Sequence, residues 1–218
     1  MVNKRLLLSL VPLAFFPIDT FANETIPANE ALATQQIAQI VEQTIRTEAK
    51  EDGSAQRDVH LKTHGCVKAA FRVLPLPNEM SNGIFAEARE YPAWIRYSNG
   101  SGKVQDDSVG DARGMAIKLM GIERSQSGTQ DFVMINHPVF FVRNATEYIE
   151  FQQALVEGSP IKFFLPGFNP FNFRLHELAI ATAIRIRKVD NPLDTQYWST
   201  TPYRFGDTAM KFSARPCT

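Results

Sequence analysis

Arg57-Asp58-Val59-His60-Leu61-Lys62-Thr63-His64-Gly65 sets a histidine on what reads as a strand closing in a glycine turn. Imidazole changes charge near neutrality, so a histidine held in one tautomer can take up a proton and return it. A hydroxyl holds a tautomer, and Ser98 in Arg96-Tyr97-Ser98 is the candidate. Arg57, Arg96 and Arg113 carry planar guanidinium forks, which grip paired carboxylates through charge-assisted hydrogen bonds. The plainer readings are a satisfied core histidine and ordinary surface ion pairs. A third reading takes His60, His64 and Cys66 as metal ligands on one face of a strand. No fourth ligand is evident and Arg57 repels a cation, so no metal is assigned.

Two further segments complete the set: Asp111-Ala112-Arg113-Gly114-Met115-Ala116-Ile117-Lys118, and Asp131-Phe132-Val133-Met134-Ile135-Asn136-His137-Pro138-Val139-Phe140-Phe141. In this order and spacing the four segments resemble the distal haem pocket of the catalase superfamily. Arg-x-Val-His before a glycine turn resembles the distal histidine strand. The segment from Asp111 resembles Asp-Pro-Arg-Gly-Phe-Ala with Ala112 in place of Pro, and Pro138-Val139-Phe140-Phe141 resembles Pro-x-Phe-Phe. The C-terminal part, with Thr201-Pro202-Tyr203-Arg204-Phe205-Gly206 and Lys211-Phe212-Ser213-Ala214-Arg215-Pro216-Cys217, resembles the smaller catalase-related haem proteins.

The resemblance implies haem b as cofactor and roles for named residues. His60 would be the acid/base, oriented by Ser98, with Asn136 as the distal amide. Val59, Phe140, Phe141 and Tyr148 would face the haem, and Arg57, Arg96 and Arg113 would bind its carboxylates. Two departures follow. The family places its distal Asn three residues before the proline, where this chain has Ile135, with Asn136 next to it. A one-residue slip on a strand reverses a side chain. Either the strand bulges and Asn136 faces the haem, or the pocket lacks the amide. Such a preorganised contact is worth about 2.7–4 kcal/mol, so its loss favours a slow peroxidase or a hydroperoxide-converting enzyme. The family's iron ligand is a tyrosine in Arg-x-x-x-Tyr, a pattern absent here, so the chain is expected to be a truncated form of the fold. His137, His176 and Cys217 remain as substitute ligands.

The elements that must position these residues begin with a helix over Glu30 to Lys50, where Ala31, Ile37, Ile40, Val41 and Ile45 recur at helical spacing before Asp52-Gly53-Ser54. From Val59 to Lys118 short strands parted by Gly, Pro and Asn predict an antiparallel barrel or a strongly curled sheet. Glu79 to Glu90 reads as a short helix between strands. Phe132 to Val142 reads as a strand bent at Pro138. Thr146 to Val156 is amphipathic, with Tyr148, Ile149, Phe151, Leu155 and Val156 on one side. Ile161 to Phe173 reads as a Phe-rich loop covering the core, Leu175 to Lys188 as a helix, and Tyr197 to Phe212 as two strands about Gly206-Asp207.

Lys and Arg number 23, as do Asp and Glu, so no basic excess points to nucleic acid. Lys4 and Arg5 precede an apolar run, Leu6 to Phe16, too short to span a bilayer, and Thr20-Phe21-Ala22 supplies small residues for cleavage. The organisation is a signal peptide over 1–22, an arm and helix over 23–56, and an incomplete catalase-like haem-binding domain over 57–218. The chain is then exported to a periplasm, with no membrane span after cleavage and an oligomer left open. Such a compartment permits a Cys66–Cys217 disulfide, though two unlinked buried thiols is the simpler reading. The fold class is α+β: a catalase-like antiparallel barrel, an N-terminal helical arm and packed helices. The function is a haem-dependent enzyme of peroxidase or catalase type acting on hydrogen peroxide or organic hydroperoxides. The alternative is an exported non-catalytic haem-binding remnant of the same fold.

Overall fold

The computed structural model describes residues 26–123 and 125–217. The signal peptide read over 1–22 lies outside them. Helix α1 (Glu30–Asp52) is the predicted arm, rich in Ala, Glu and Gln and free of internal Gly or Pro. It stops at Gly53, whose φ of 76° is a left-handed conformation that glycine adopts without a Cβ clash. Asn29 Nδ2 donates to Thr146 Oγ1 at 3.2 Å, tying the arm to the start of α2 (Ala145–Val156).

Strands β1 (Thr63–Arg72), β2 (Glu90–Asn99), β3 (Arg113–Met120) and β4 (Thr129–Ile135) form an antiparallel meander. Late in the chain β5 (Tyr197–Ser199) and β8 (Ser213–Ala214) extend the order to β1-β2-β3-β4-β5-β8. A separate hairpin, β6 (Tyr203–Phe205) with β7 (Thr208–Met210), turns about Gly206-Asp207 as the sequence predicts. The architecture is α+β, but the sheet is an open six-stranded half-barrel with β1 and β8 at its edges, not a closed barrel.

Alternation along the strands gives the sheet two unlike faces. The inner face carries the core, including Tyr91, Met115, Ile117, Leu119, Phe132 and Met134. Rings interlock there: Phe71 stacks on Phe132 at 5.9 Å, and Phe212 meets Phe132 edge-on at 5.0 Å. Each such buried side chain contributes about 1.5–3 kcal/mol. The outer face has two cross-strand rows near its upper end. One runs Thr63, Ser98, Gly114, Ile135, Trp198, and the other Cys66, Arg96, Ala116, Val133.

Helix α2 starts at Asn144, whose Oδ1 accepts from the Glu147 backbone N–H at 3.0 Å, while Glu147 Oε2 accepts from the Arg143 backbone N–H at 2.8 Å. The first bond satisfies a donor that a helix start leaves free, and the second holds the residue before the cap. Helices α3 (Ile161–Phe164) and α4 (Leu175–Ile186) follow. Phe163 and Phe164 of the Phe-rich segment are buried against Phe141, Phe151 and Leu178, whereas Phe168 and Phe171 are exposed. No helix among the described residues is long and apolar enough to cross a membrane.

Three expectations are corrected. Glu79 to Glu90 is not a helix but two single 3-10 turns, Asn78–Met80 and Gly83–Phe85, because Ser81-Asn82-Gly83 interrupts it. The strand expected to reach Val142 ends at Ile135, three residues short of Pro138. Cys66 and Cys217 are unlinked, as the simpler reading holds, but exposed rather than buried.

Candidate functional site

His60 lies in a bend just before β1, not on the strand the sequence predicts. Its φ of 56° is left-handed, which costs a residue bearing a Cβ about 1–3 kcal/mol. Surrounding bonds hold it there. His60 N donates to Gly100 O at 3.0 Å, and Leu61 N to Ser101 O at 3.2 Å. Arg96 Nη2 donates to His60 O at 2.7 Å and to Thr63 Oγ1 at 2.6 Å.

The bend lays the imidazole against the outer face, close over Gly114. Nδ1 is 3.0 Å from Ser98 Oγ, so the hydroxyl holds one ring nitrogen and leaves Nε2 for a substrate. Beneath the ring is Gly114, where a Cβ would stand 2.6 Å from both Cε1 and Nδ1. The glycine is there because the ring occupies that space. Burial pushes the His60 pKa below its ordinary 6.5; the Asp111 carboxylate opposes this, and the Arg96 and Arg57 charges add to it. His60 is therefore a neutral base at pH 7.

Arg57 is exposed, and Arg96 lies on the outer face beside it. Burial, then the like charge of Arg57, lowers the Arg96 pKa. Two guanidiniums brought together in this way attract an anion with two oxygens. Val59, next to His60, is 41 % exposed and offers an apolar surface.

Helix α2 closes the other side. Phe140 packs on Phe141 at 4.8 Å and on Tyr148 at 6.1 Å, and Phe141 meets Phe151 edge-on at 4.7 Å. Gln152 Nε2 donates to the Tyr148 hydroxyl at 3.3 Å. Burial raises the pKa of Asp58, two residues before His60, and the nearby Gln152 side chain partly offsets this. Burial, with the Asp58 charge, raises the Tyr148 pKa. Sequence reasoning missed Gln152, although the signal was present: a polar residue within the apolar side of an amphipathic helix, and 5 % exposed.

A family model described as Catalase matches residues 28–161. The chain belongs to the catalase family. The matched span contains His60, Ser98, Asn136 and the residues assigned to the haem; His176 and Cys217, named as substitute ligands, lie beyond it. No curated protein matches the chain.

Two residues assigned by resemblance are not brought to the catalase-family pocket. The β3–β4 ladder runs without a bulge, so Ile135 shares the row of Ser98 and Gly114. Asn136, the next residue, is turned back to Arg113: its Oδ1 accepts from Arg113 N at 2.8 Å, and its own N donates to Arg113 O at 3.0 Å. Its Nδ2 is buried with no partner. Arg113 is 1 % exposed on the inner side, and its guanidinium donates to Asp107 O at 2.9 Å and Asp111 O at 3.3 Å. That guanidinium is occupied by loop carbonyls and does not join Arg57 and Arg96.

The reading of three aligned metal ligands also fails. A bulge between Thr63 and Gly65 breaks the alternation, and His64 turns to Asn99 on the inner side. Among the described residues no group of three or more His, Cys, Asp or Glu is arranged to hold a metal ion. A cavity of about 510 Å³ lies elsewhere, beside Ile84, Arg89, Tyr91 and Gln130.

The residues that remain fit the distal side of a haem. Arg57 and Arg96 suit its two carboxylates, Val59 and Phe140 its apolar ring, and His60 the space above it. None of the five tyrosines has an arginine four residues before it. Tyr91 and Tyr197 are buried on the inner face.

Proposed function

We propose that this chain carries the distal side of a haem site that handles hydrogen peroxide or an organic hydroperoxide. The observation that supports it best is the imidazole of His60, locked by Ser98 over Gly114 on the face that carries the Arg57–Arg96 pair. Arg57 and Arg96 would hold the carboxylates of haem b, with Val59, Phe140 and Tyr148 lining its apolar ring. When bound, haem supplies the redox-active iron at which a peroxide O–O bond is reduced. His60, neutral at pH 7, accepts the proton of the incoming hydroperoxide at Nε2 and returns it to the departing oxygen, while Ser98 keeps the ring from rotating. Ile135 at the distal amide position supplies no hydrogen bond to the substrate, which favours slow peroxidase chemistry over fast catalase turnover. The chain is taken as exported, since Lys4 and Arg5 precede the apolar run Leu6 to Phe16.

A second reading is a haem-binding protein without turnover. Ile135 in the place of the distal amide favours it. One experiment separates the two. The chain is reconstituted with haem b, the Soret band is titrated, and peroxide-dependent dye oxidation is followed in wild type and His60→Ala. The enzyme reading expects most activity to disappear in His60→Ala with little change in haem affinity. Equal turnover in both proteins ends the assignment of His60, and a Soret band without turnover in wild type supports the binder.

A further inference from the structure

The loop that joins β2 to β3, from Gly100 to Ala112, runs beside the bend at His60. We propose that Asp111 is a positioning residue for His60, pinning this loop so that its carbonyls hold the left-handed backbone that carries the imidazole. The proposal rests on the reading of His60 as the proton-handling group.

Asp111 Oδ2 accepts from the Ser101 backbone N–H at 2.9 Å and from Gln105 Nε2 at 3.2 Å. At the neck of the loop Gly100 N donates to Ala112 O at 2.8 Å. Held in this way, Gly100 O and Ser101 O are the two acceptors for His60 N and Leu61 N, at 3.0 and 3.2 Å. The contact tolerates no side chain at its closest points. A Cβ on Gly100 would stand 2.8 Å from Ala112 Cβ and 3.1 Å from Asp111 Oδ1, and one on Gly102 would collide with the Asp58 carbonyl. One carboxylate thus anchors the strip of loop against which the bend is built.

The same carboxylate is the acidic charge that acts on the ring. Arg57 on the preceding segment and Arg96 on β2 favour the neutral imidazole, as burial does, and Asp111 opposes them. Ser98 on β2 is uncharged, and β3 presents only Gly114. The Asp58 carboxyl is engaged by Gln152 of α2. Anchoring and charge can therefore be separated by substitution, because asparagine keeps an acceptor oxygen for Ser101 N–H and loses the charge.

The test compares the full chain with Asp111→Asn and Asp111→Ala. Amide hydrogen exchange is read at His60 and Leu61, and the imidazole titration is followed by NMR, with His60→Gln to assign the signal. In Asp111→Ala both amides should exchange at least tenfold faster, while amides in the middle of β2 and β3 keep their protection. In Asp111→Asn the two amides should stay within about twofold of wild type while His60 titrates at lower pH. Unchanged exchange in a folded Asp111→Ala overturns the proposal. If that variant does not fold, Asp111→Asn decides alone, and an unchanged His60 titration overturns it. Failure of the underlying reading is seen elsewhere, as equal peroxide turnover in haem-loaded wild type and His60→Ala, and leaves the exchange result as it stands.

Discussion

The two faces of the sheet at its His60 end differ by one residue along each strand. The outer face presents Ser98, Gly114 and Ile135; the inner side presents Asn99, Arg113 and Asn136. All six are buried. On the inner side, guanidinium and amide groups bond to backbone: Arg113 to Asp107 O and Asp111 O, Asn136 to Arg113 N. The outer row is a hydroxyl, a bare backbone and an aliphatic chain, and it leaves room for the imidazole over Gly114. Apart from Asn136 Nδ2, the polar groups of the inner side are tied into the fold, whereas His60 on the outer face keeps Nε2 free. Substitutions on the inner side should therefore cost stability, and substitutions on the outer face should cost chemistry.

The largest effect is expected on the inner side. Arg113→Met keeps most of the volume but strands the Asp107 and Asp111 carbonyls, and hydrogen bonds to charged groups contribute about 1.5–3 kcal/mol each. Urea denaturation should show a loss of about 3 kcal/mol or more. A loss below about 1 kcal/mol would remove the contrast between the faces. Next comes the double variant Arg57→Ala, Arg96→Ala on the outer face. The fold should persist by circular dichroism while haem affinity, read by Soret titration, falls at least about tenfold, given about 1.5–3 kcal/mol for each charge-assisted bond. Equal affinity would refute the clamp.

Gly114→Ala tests the boundary between the faces. Its methyl meets the ring at 2.6 Å, so about 1–3 kcal/mol of overpacking is expected. Displacement of the ring should reduce peroxide turnover in protein that still folds, and retention of full activity would show that the ring need not lie against Gly114. The smallest effect is a pH dependence. The folded pKa of His60 lies below its ordinary 6.5 because the ring is buried. Below that value the unfolded chain binds more protons than the native one, so stability should fall as pH drops through 6.5 toward the folded pKa. Above it the contribution is fully present. Denaturation curves between about pH 5 and 8 should lose this slope in His60→Gln.

Much of the frame was legible from local chemistry. The α1 arm follows from helical spacing and a terminal glycine, the four meander strands from their Gly and Pro boundaries, and the late hairpin from Gly206-Asp207. The order of motifs around His60, Arg96, Gly114 and Pro138 pointed to the catalase family, which the match over residues 28–161 bears out. Less was legible where one residue or a distant partner decides. Ile135 and Asn136 were both open as the distal side chain, and the unbroken ladder opposite Gly114 and Arg113 puts Ile135 in the outer row. The bulge at His64 removed a reading that assumed regular alternation.

The sequence by itself determined most of the helices and strands, though not the turns at residues 78–85 or the end of β4, because propensity, hydrophobic period and turn residues act within a few positions of one another. It determined as well which chemical groups are at hand: an imidazole, a hydroxyl and the arginines. Only the tertiary structure decided which of them meet. Arg113 carries the same guanidinium as Arg96, yet it is buried under a loop while Arg96 faces outward beside Arg57. His60 leaves the strand for a left-handed bend because Gly100, Ser101 and Arg96, remote in sequence, bond its backbone there. The sheet likewise remains a half-barrel, since strand pairing is set by which edges meet in space. Alternation along a strand gives only relative parity; the face a residue takes follows from cross-strand register, which is a property of pairs of segments and not of either one alone.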